Sequence, residues 1–153
     1  LAGKIGSNIA SELGTMRVTE QIDAIEIMGV NAPGYLVLPK IVAAVFIFPI
    51  LIIYSIALGL IGGYAISYFG GMPQINPEKY MIGLRAFFEP FNIAYSLIKS
   101  VVFAFLITSI SSYFGFYARG GAFEVGKSST KAVVYSSIFI LLFNYLLTQL
   151  LLI

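Results

Sequence analysis

Three long stretches without a charged residue constrain this chain more than any other feature of its sequence. They cover residues 41–77, 100–118 and 132–153, which is 37, 19 and 22 residues. A helix of about 20 mostly apolar residues can cross the hydrocarbon core of a bilayer. The nine basic and seven acidic side chains lie outside these stretches, and the mean hydropathy is +0.93. The sequence therefore predicts an all-α, polytopic transmembrane helical bundle rather than a water-soluble domain.

The predicted bundle is a single domain over residues 1–153, and its orientation follows from its cations. An odd number of crossings separates the middle block of charge from the first and third blocks, which hold six cations against three. Cytoplasmic segments carry the excess of Lys and Arg, so the loop 118–131 is predicted to be cytoplasmic and the segment 70–96 periplasmic. Complete spans are predicted at 41–69, 97–117 and 132–153, and the end of a fourth at 1–14.

Small residues recur along the predicted end of the fourth span. Ala2, Gly6, Ala10 and Gly14 are spaced four apart and share one helix face. Small side chains let another helix approach closely, which is how helices associate in lipid. We therefore predict that this face packs against another helix, the alternative being a flexible segment.

The next segment, 17–29, is predicted to be a short amphipathic helix. It is too short to span a bilayer. Thr19 is predicted to be its N-cap and Gly29 its left-handed C-cap, with Pro33 preventing continuation. A helix bound to anionic lipid would carry Lys and Arg on its polar face, whereas this one carries acids, which favours a protein partner with basic or polar groups over a purely solvated helix. The apolar stripe is Val18, Ile22, Ile25 and Met28, and the acids are Glu20, Asp23 and Glu26.

The residue types inside the predicted spans argue against catalysis. The chain has no cysteine and no histidine, which excludes thiol nucleophiles, imidazole acid–base chemistry and the usual zinc sites. A net charge of +2 does not indicate a nucleic-acid partner.

Asn144 and Thr148 lie one turn apart and are predicted to face other helices. Four hydroxyls can bond carbonyls of their own helix and need not line a site. These are Thr108, Ser109, Ser111 and Ser112.

One motif matches the phosphate-binding pattern G-x-x-x-x-G-K-[ST], at Gly121, Gly126, Lys127 and Ser128. A phosphate loop requires a buried strand before it and a surrounding α/β domain. Here predicted membrane spans lie on both sides. We therefore interpret the motif as a glycine-rich turn between helices, so that no catalytic residue, metal ligand or cofactor is expected.

Three blocks of sequence together cover most of the chain. The first consists of AGKIGS (2–7), ELGTMRVTEQIDA (12–24) and MGV (28–30), the second of LIKSVVF (97–103), and the third of GGA (120–122), VG (125–126) and TKAVV (130–134). In their residues and their order, these blocks closely resemble the MlaE (YrbE) family of ABC-transporter permeases. Within the third block, the family usually carries Arg where Lys127 stands.

The resemblance implies a permease that moves phospholipid or a related lipid in the bacterial inner membrane. It implies a homodimer, two cytoplasmic ABC ATPase subunits that hydrolyse ATP, and an MCE-domain lipid-binding protein on the far side. It also implies that the acidic helix is the coupling helix received by the ATPase, with Arg17, Glu20, Asp23 and Glu26 as coupling residues. The family's relatives extend further at the N-terminus, so the chain is expected to be an N-terminally truncated fragment.

Lys99 matches the family's lysine beside the lipid pocket and is the expected lipid-binding residue. A cation there can pair with a phospholipid phosphate. The alternative is a lysine that anchors the end of its helix by reaching to the interface.

The alternative functions for the whole chain are a membrane channel or small-solute transporter subunit and a membrane-embedded enzyme. An enzyme would need a reactive cluster at membrane depth, and a channel would show charged rings or a repeated filter.

Overall fold

The computed structural model describes residues 2–71, 76–86 and 90–152, and these form a helical bundle without strands. The prediction of an all-α bundle is confirmed. Two π-helical turns, Ala2–Gly6 and Pro33–Val37, lead directly into α1 and α3. Parts of the predicted segments 1–14, 70–96 and 132–153 lie outside the described residues. The helices are α1 (Ser7–Val18), α2 (Gln21–Ile27), α3 (Leu38–Phe69), α4 (Pro77–Ala86), α5 (Pro90–Phe116) and α6 (Ala122–Leu152).

Three of these helices are long and apolar enough to cross a membrane, as predicted. They cover Pro33–Phe69, Pro90–Phe116 and Ala122–Leu151. At 1.5 Å per residue, the 32 residues of α3 alone extend about 48 Å, beyond a hydrocarbon core of roughly 30 Å. The chain is therefore a multi-pass membrane protein, and a helix as long as α3 must tilt, bend or project beyond the hydrocarbon.

The long helices begin earlier than the charge pattern predicted. The described part of α5 begins at Pro90 and so already extends beyond the predicted start at 97. α6 starts at Ala122 rather than at 132. The predicted loop 118–131 is therefore wrong in extent, since only residues 117–121 separate α5 from α6. Charged side chains exclude a segment from hydrocarbon but not from a helix.

α1 packs against α5 and α6 through its small residues. Gly6, Ala10 and Gly14 are all buried, so the predicted face is a packing face. A Cβ on Gly115 of α5 would lie 2.7 Å from the Ala10 carbonyl oxygen and 2.9 Å from the Leu13 Cβ. Real Cβ atoms essentially never come that close to other heavy atoms. The α1–α5 crossing therefore requires glycine at position 115.

α3 packs against α5 through an apolar core. Ala44 and Phe48 of α3 meet Ala104 and Ile107 of α5, and all four are buried. Ile140 of α6 packs against the edge of this cluster. α5 is therefore the central helix of the described bundle, in contact with α1, α3 and α6.

The hydroxyls of α5 follow the sequence prediction only in part. Thr108 donates to the Ala104 carbonyl at 2.7 Å, and Ser109 donates to the Leu106 carbonyl at 3.3 Å. Ser111 and Ser112 are buried, and their Oγ atoms have no hydrogen-bond partner among the described residues. Ser111 instead lies at the close approach to Gly6, where an added Cβ would be 2.9 Å from its Oγ.

Candidate functional site: the α2 surface and the cavity between α3, α4 and α5

The predicted single helix over 17–29 is broken after its first residues. α1 continues through Val18, and α2 begins only at Gln21. Thr19 donates its hydroxyl to the Thr15 carbonyl at 2.8 Å, so it closes α1 and is not the predicted N-cap of α2. Glu20, which does precede α2, has φ of 64°, a left-handed conformation that costs a non-glycine residue roughly 1–2 kcal/mol. The chain therefore turns sharply at one residue, and Arg17 belongs to α1.

Arg17 ties α2 to the end of α5. Its Nε donates to the Phe116 carbonyl oxygen at 2.8 Å, and its Nη1 lies 3.0 Å from Asp23 Oδ1. The guanidinium carbon lies 4.6 Å from the centre of the Phe116 ring. The last carbonyls of a helix have no partner within the helix, and a cation is favoured at that end. Arg17 thus caps the C-terminal end of α5 and also forms an ion pair with Asp23 of α2. Asp23 is therefore already paired within the chain.

α2 buries one side and leaves an acidic and apolar surface exposed. Ile22 is fully buried against Ala32 and Phe116, and Ile25 is half-buried beside them. The predicted apolar stripe is wrong at its two ends, since Val18 is exposed and Met28 is 72% exposed. Gly29 has φ of 80° and donates to the Glu26 carbonyl at 3.0 Å, as its predicted C-cap role requires. We call Glu20, Glu26, Ile27 and Met28 the α2 surface, because all four are exposed.

We expect Arg17→Met to loosen α2 without unfolding the bundle. The change leaves the Phe116 carbonyl and the Asp23 carboxylate without their common partner, which costs about 1–2 kcal/mol. Amide hydrogen exchange in α2 should become roughly 5- to 30-fold faster. Lys40→Met is the matched control, because the Lys40–Glu12 ion pair at 3.1 Å joins α3 to α1 instead. Unchanged exchange in α2 after Arg17→Met would show that Arg17 does not hold this helix.

Lys99 lies in a polar cluster between α5 and α6, at the end of the bundle opposite α2. Its ammonium donates to Asn144 Oδ1 and lies 4.4 Å from the centre of the Tyr95 ring. The Tyr95 hydroxyl is 2.8 Å from Thr148 Oγ1. Asn144 and Thr148 therefore face another helix, as predicted. The cluster holds the Lys99 ammonium on the α6 side of α5.

A cavity of about 760 Å³ lies between α3, α4 and α5. The α3 wall is one helix face, formed by Ile52, Ile56 and Leu60 at four-residue spacing. The remaining lining is mainly apolar, and its polar members are Lys79, Asn92 and Ser96, apart from the hydroxyl of Tyr80. Lys99 does not line this cavity. The volume lies within the range of about 300–1,000 Å³ typical of small-molecule sites.

α4 is held over this cavity by Tyr80. The Tyr80 hydroxyl donates to the Leu60 carbonyl of α3 at 3.0 Å. The ring lies against Gly63, where an added Cβ would collide with the hydroxyl. Sequence reasoning missed this site, although Tyr80, Gly83 and Leu84 already shared one face of a potential helix in the segment predicted to be periplasmic.

The phosphate-loop motif has no loop in the structure. Gly126, Lys127 and Ser128 lie within α6, where backbone N–H groups bond carbonyls of the helix. The Lys127 ammonium lies 5.0 Å from the centre of the Phe123 ring. Only Gly121 of the motif lies in the turn before α6, so the interpretation of the motif as a glycine-rich turn is right at that position and wrong for residues 122–128, which are helical.

Comparison with known proteins identifies the family. The family model for the MlaE permease matches residues 1–150. A probable ABC transporter permease protein of Rickettsia bellii is 41% identical over 98% of this chain and 57% of its own length. A probable ABC transporter permease protein of Synechocystis is 38% identical over 98% of this chain and 56% of its own length.

A plant protein is also similar. The chloroplastic protein trigalactosyldiacylglycerol 1 of Arabidopsis thaliana is 33% identical over 97% of this chain and 42% of its own length. The chain thus spans about half the length of the curated relatives that it matches. The match to the family model runs from the first residue through almost the whole of α6. This chain is therefore a member of the MlaE permease family.

Proposed function

We propose that this chain is part of the permease subunit of an ABC transporter that moves phospholipid or a related lipid. Transport is driven by ATP hydrolysis in a separate cytoplasmic ATPase, and the chain itself performs no covalent chemistry. The cavity between α3, α4 and α5 carries the proposal, because an apolar space with few polar groups suits an acyl chain better than an ion or a polar solute. One relative's name, trigalactosyldiacylglycerol 1, is that of a lipid.

The proposed assembly contains two permease copies in the bacterial inner membrane. The excess of cations at the α2 end favours a cytoplasmic position for α2. There Glu20, Asp23 and Glu26, with Arg17 behind them, form the coupling region for the ATPase. An MCE-domain lipid-binding protein exchanges lipid at the α4 end. The family resemblance supports these partners, and exposed acids on a helix too short to span the bilayer support a protein contact at α2.

Lipid analysis of the purified complex tests this function. The full-length permease is isolated with its ATPase in detergent, and its bound small molecules are identified by mass spectrometry. We expect phospholipid or glycolipid in stoichiometric amount, and ATP-dependent transfer of that lipid from proteoliposomes to the carrier protein. A complex without bound lipid that conducts ions or passes small polar solutes would instead support the channel or small-solute alternative.

Substitution of Lys99 provides a second test of the proposed lipid transport. We propose that its ammonium binds the headgroup phosphate during transfer, so Lys99→Ala should reduce ATP-dependent lipid transfer about tenfold while assembly survives. Asn144→Ala is the matched variant, because it removes the residue that holds Lys99 but keeps the cation. Transfer should change less than about twofold in that variant.

Two outcomes would contradict the proposed role of Lys99. Normal transfer in Lys99→Ala would exclude it as a lipid contact. Equal losses in Lys99→Ala and Asn144→Ala would indicate that the pair serves only to hold α5 and α6 together.

A further inference from the structure

The cavity between α3, α4 and α5 has one charged side chain in its wall. This is Lys79, in the first turn of α4. Among the residues that the structure describes, no carboxylate oxygen lies within 4.0 Å of the Lys79 ammonium. Among the neutral polar groups of the lining, Ser96 donates its hydroxyl to the backbone carbonyl of Asn92 at 2.9 Å, and Tyr80 donates to the backbone carbonyl of Leu60. Lys79 is therefore the only charged group among the described lining residues of an otherwise apolar space.

We propose that this cavity binds an acyl chain of an anionic phospholipid, with the Lys79 ammonium on the headgroup phosphate. The inference deepens the proposed lipid transport and rests on it. An apolar wall accepts the chain, while an ammonium binds phosphate as a compact charge with three donors. Free phosphate would satisfy the lysine but would leave the apolar wall without a partner, so a membrane lipid is the better match.

The position of Lys79 separates it from Lys99. Lys99 faces Asn144 and Tyr95 on the α6 side of α5, whereas Lys79 lines the space on the α3 side. The adjacent Tyr80 fixes α4 by its hydrogen bond to Leu60. The same contact sets the register of α4 over the cavity and so holds Lys79 in its wall. The two lysines are thus two distinct cationic positions at one end of the bundle.

Lipid binding by the purified full-length complex in nanodiscs, without ATP, tests the site. The nanodiscs contain phosphatidylglycerol and phosphatidylethanolamine, and native mass spectrometry counts the retained lipid. Lys79→Gln should lower retained phosphatidylglycerol about tenfold, and Lys79→Arg should preserve most of it. Arg85→Gln is the charge-matched control on α4, because Arg85 does not line the cavity. Excess inorganic phosphate should not displace the lipid.

Filling the cavity is an independent test that leaves the charge in place. A Cβ on Gly83 would meet nothing within 4 Å, and Gly83 lines the cavity, so Gly83→Leu places a side chain in the open space. Gly59→Leu is the matched control, since Gly59 is equally open but lies outside the lining. Retained phosphatidylglycerol should fall about tenfold in Gly83→Leu alone.

Three results would overturn the site. They are unchanged retention in both Lys79→Gln and Gly83→Leu, equal loss in the Gly59 or Arg85 controls, and displacement of the lipid by inorganic phosphate. Failure of the transport proposal gives a different pattern. In that case the variants lose the lipid as expected, but ATP drives no lipid transfer even in the unmodified complex.

Discussion

Replacing Gly115 with valine is expected to prevent the bundle from folding, the largest effect of any single change that we predict. The added Cβ would meet the backbone of α1, with the Ala10 carbonyl oxygen at 2.7 Å and the Ala10 Cα at 2.9 Å. Backbone atoms cannot swing away as a flexible side chain can, so α1 must separate from α5. Overpacking of this kind costs about 1–3 kcal/mol for a small misfit and more for a bulkier group. The full-length protein should fail to accumulate in the membrane.

Matched variants separate this steric effect from a change in helix propensity. Gly126→Val makes the same substitution within α6, where a Cβ meets nothing within 4 Å. It should leave expression and thermal stability in detergent nearly unchanged. Gly115→Ala should show an intermediate loss, and Ala10→Gly should not rescue it, because the obstructing Ala10 atoms are backbone. Wild-type stability of Gly115→Val would show that the α1–α5 crossing is wrong.

Reversing the charge at Glu20 and Glu26 is expected to uncouple the ATPase. Both side chains are exposed on the α2 surface, while Asp23 is paired with Arg17 and is best left intact. Placing two cations against a partner that presents basic groups costs several kcal/mol. The double variant Glu20→Arg, Glu26→Arg should therefore lose co-purifying ATPase, or lipid-stimulated ATP hydrolysis, by about tenfold or more.

The control reverses an exposed acid at the other end of the bundle. Glu78 lies in the first turn of α4, and Glu78→Arg should leave ATPase binding and turnover unchanged. Thermal stability of the permease should be the same in both variants, because neither position carries a contact of the core. If the double variant retains full ATPase binding and turnover, the α2 surface is not the coupling interface.

The number of membrane helices could be predicted from the sequence, but their ends could not. Hydropathy and charge measure which residues sit in hydrocarbon. Lys127 and Lys131 cannot lie there, yet both fit the polar start of a helix, so α6 begins ten residues before its predicted start. The acidic helix does not continue through Pro33, as predicted, but Pro33 also opens the turn before α3, which was not predicted from the sequence, since proline is equally suited to a first turn.

The candidate site required knowledge of how the helices pack. The left-handed Glu20 is not signalled by its residue type, because glutamate has no preference for that conformation. Lys99 and Asn144 are 45 residues apart, and only the packing of α5 on α6 shows that they meet. The cavity depends on three helices at once. By contrast, the packing face of α1 could be predicted from sequence, because small side chains at four-residue spacing in a membrane helix favour a close helix crossing.

The Arg17 contact with α5 has a mechanical consequence for the whole chain. α5 runs without interruption from the Phe116 carbonyl that Arg17 caps to Leu97 in the cavity wall, a distance of roughly 28 Å along the helix axis. An unbroken hydrogen-bonded helix resists compression and bending far more than a loop does. A displacement of α2 would therefore reach the cavity between α3, α4 and α5 along one continuous helix, with no loop between the Arg17 contact and the cavity wall.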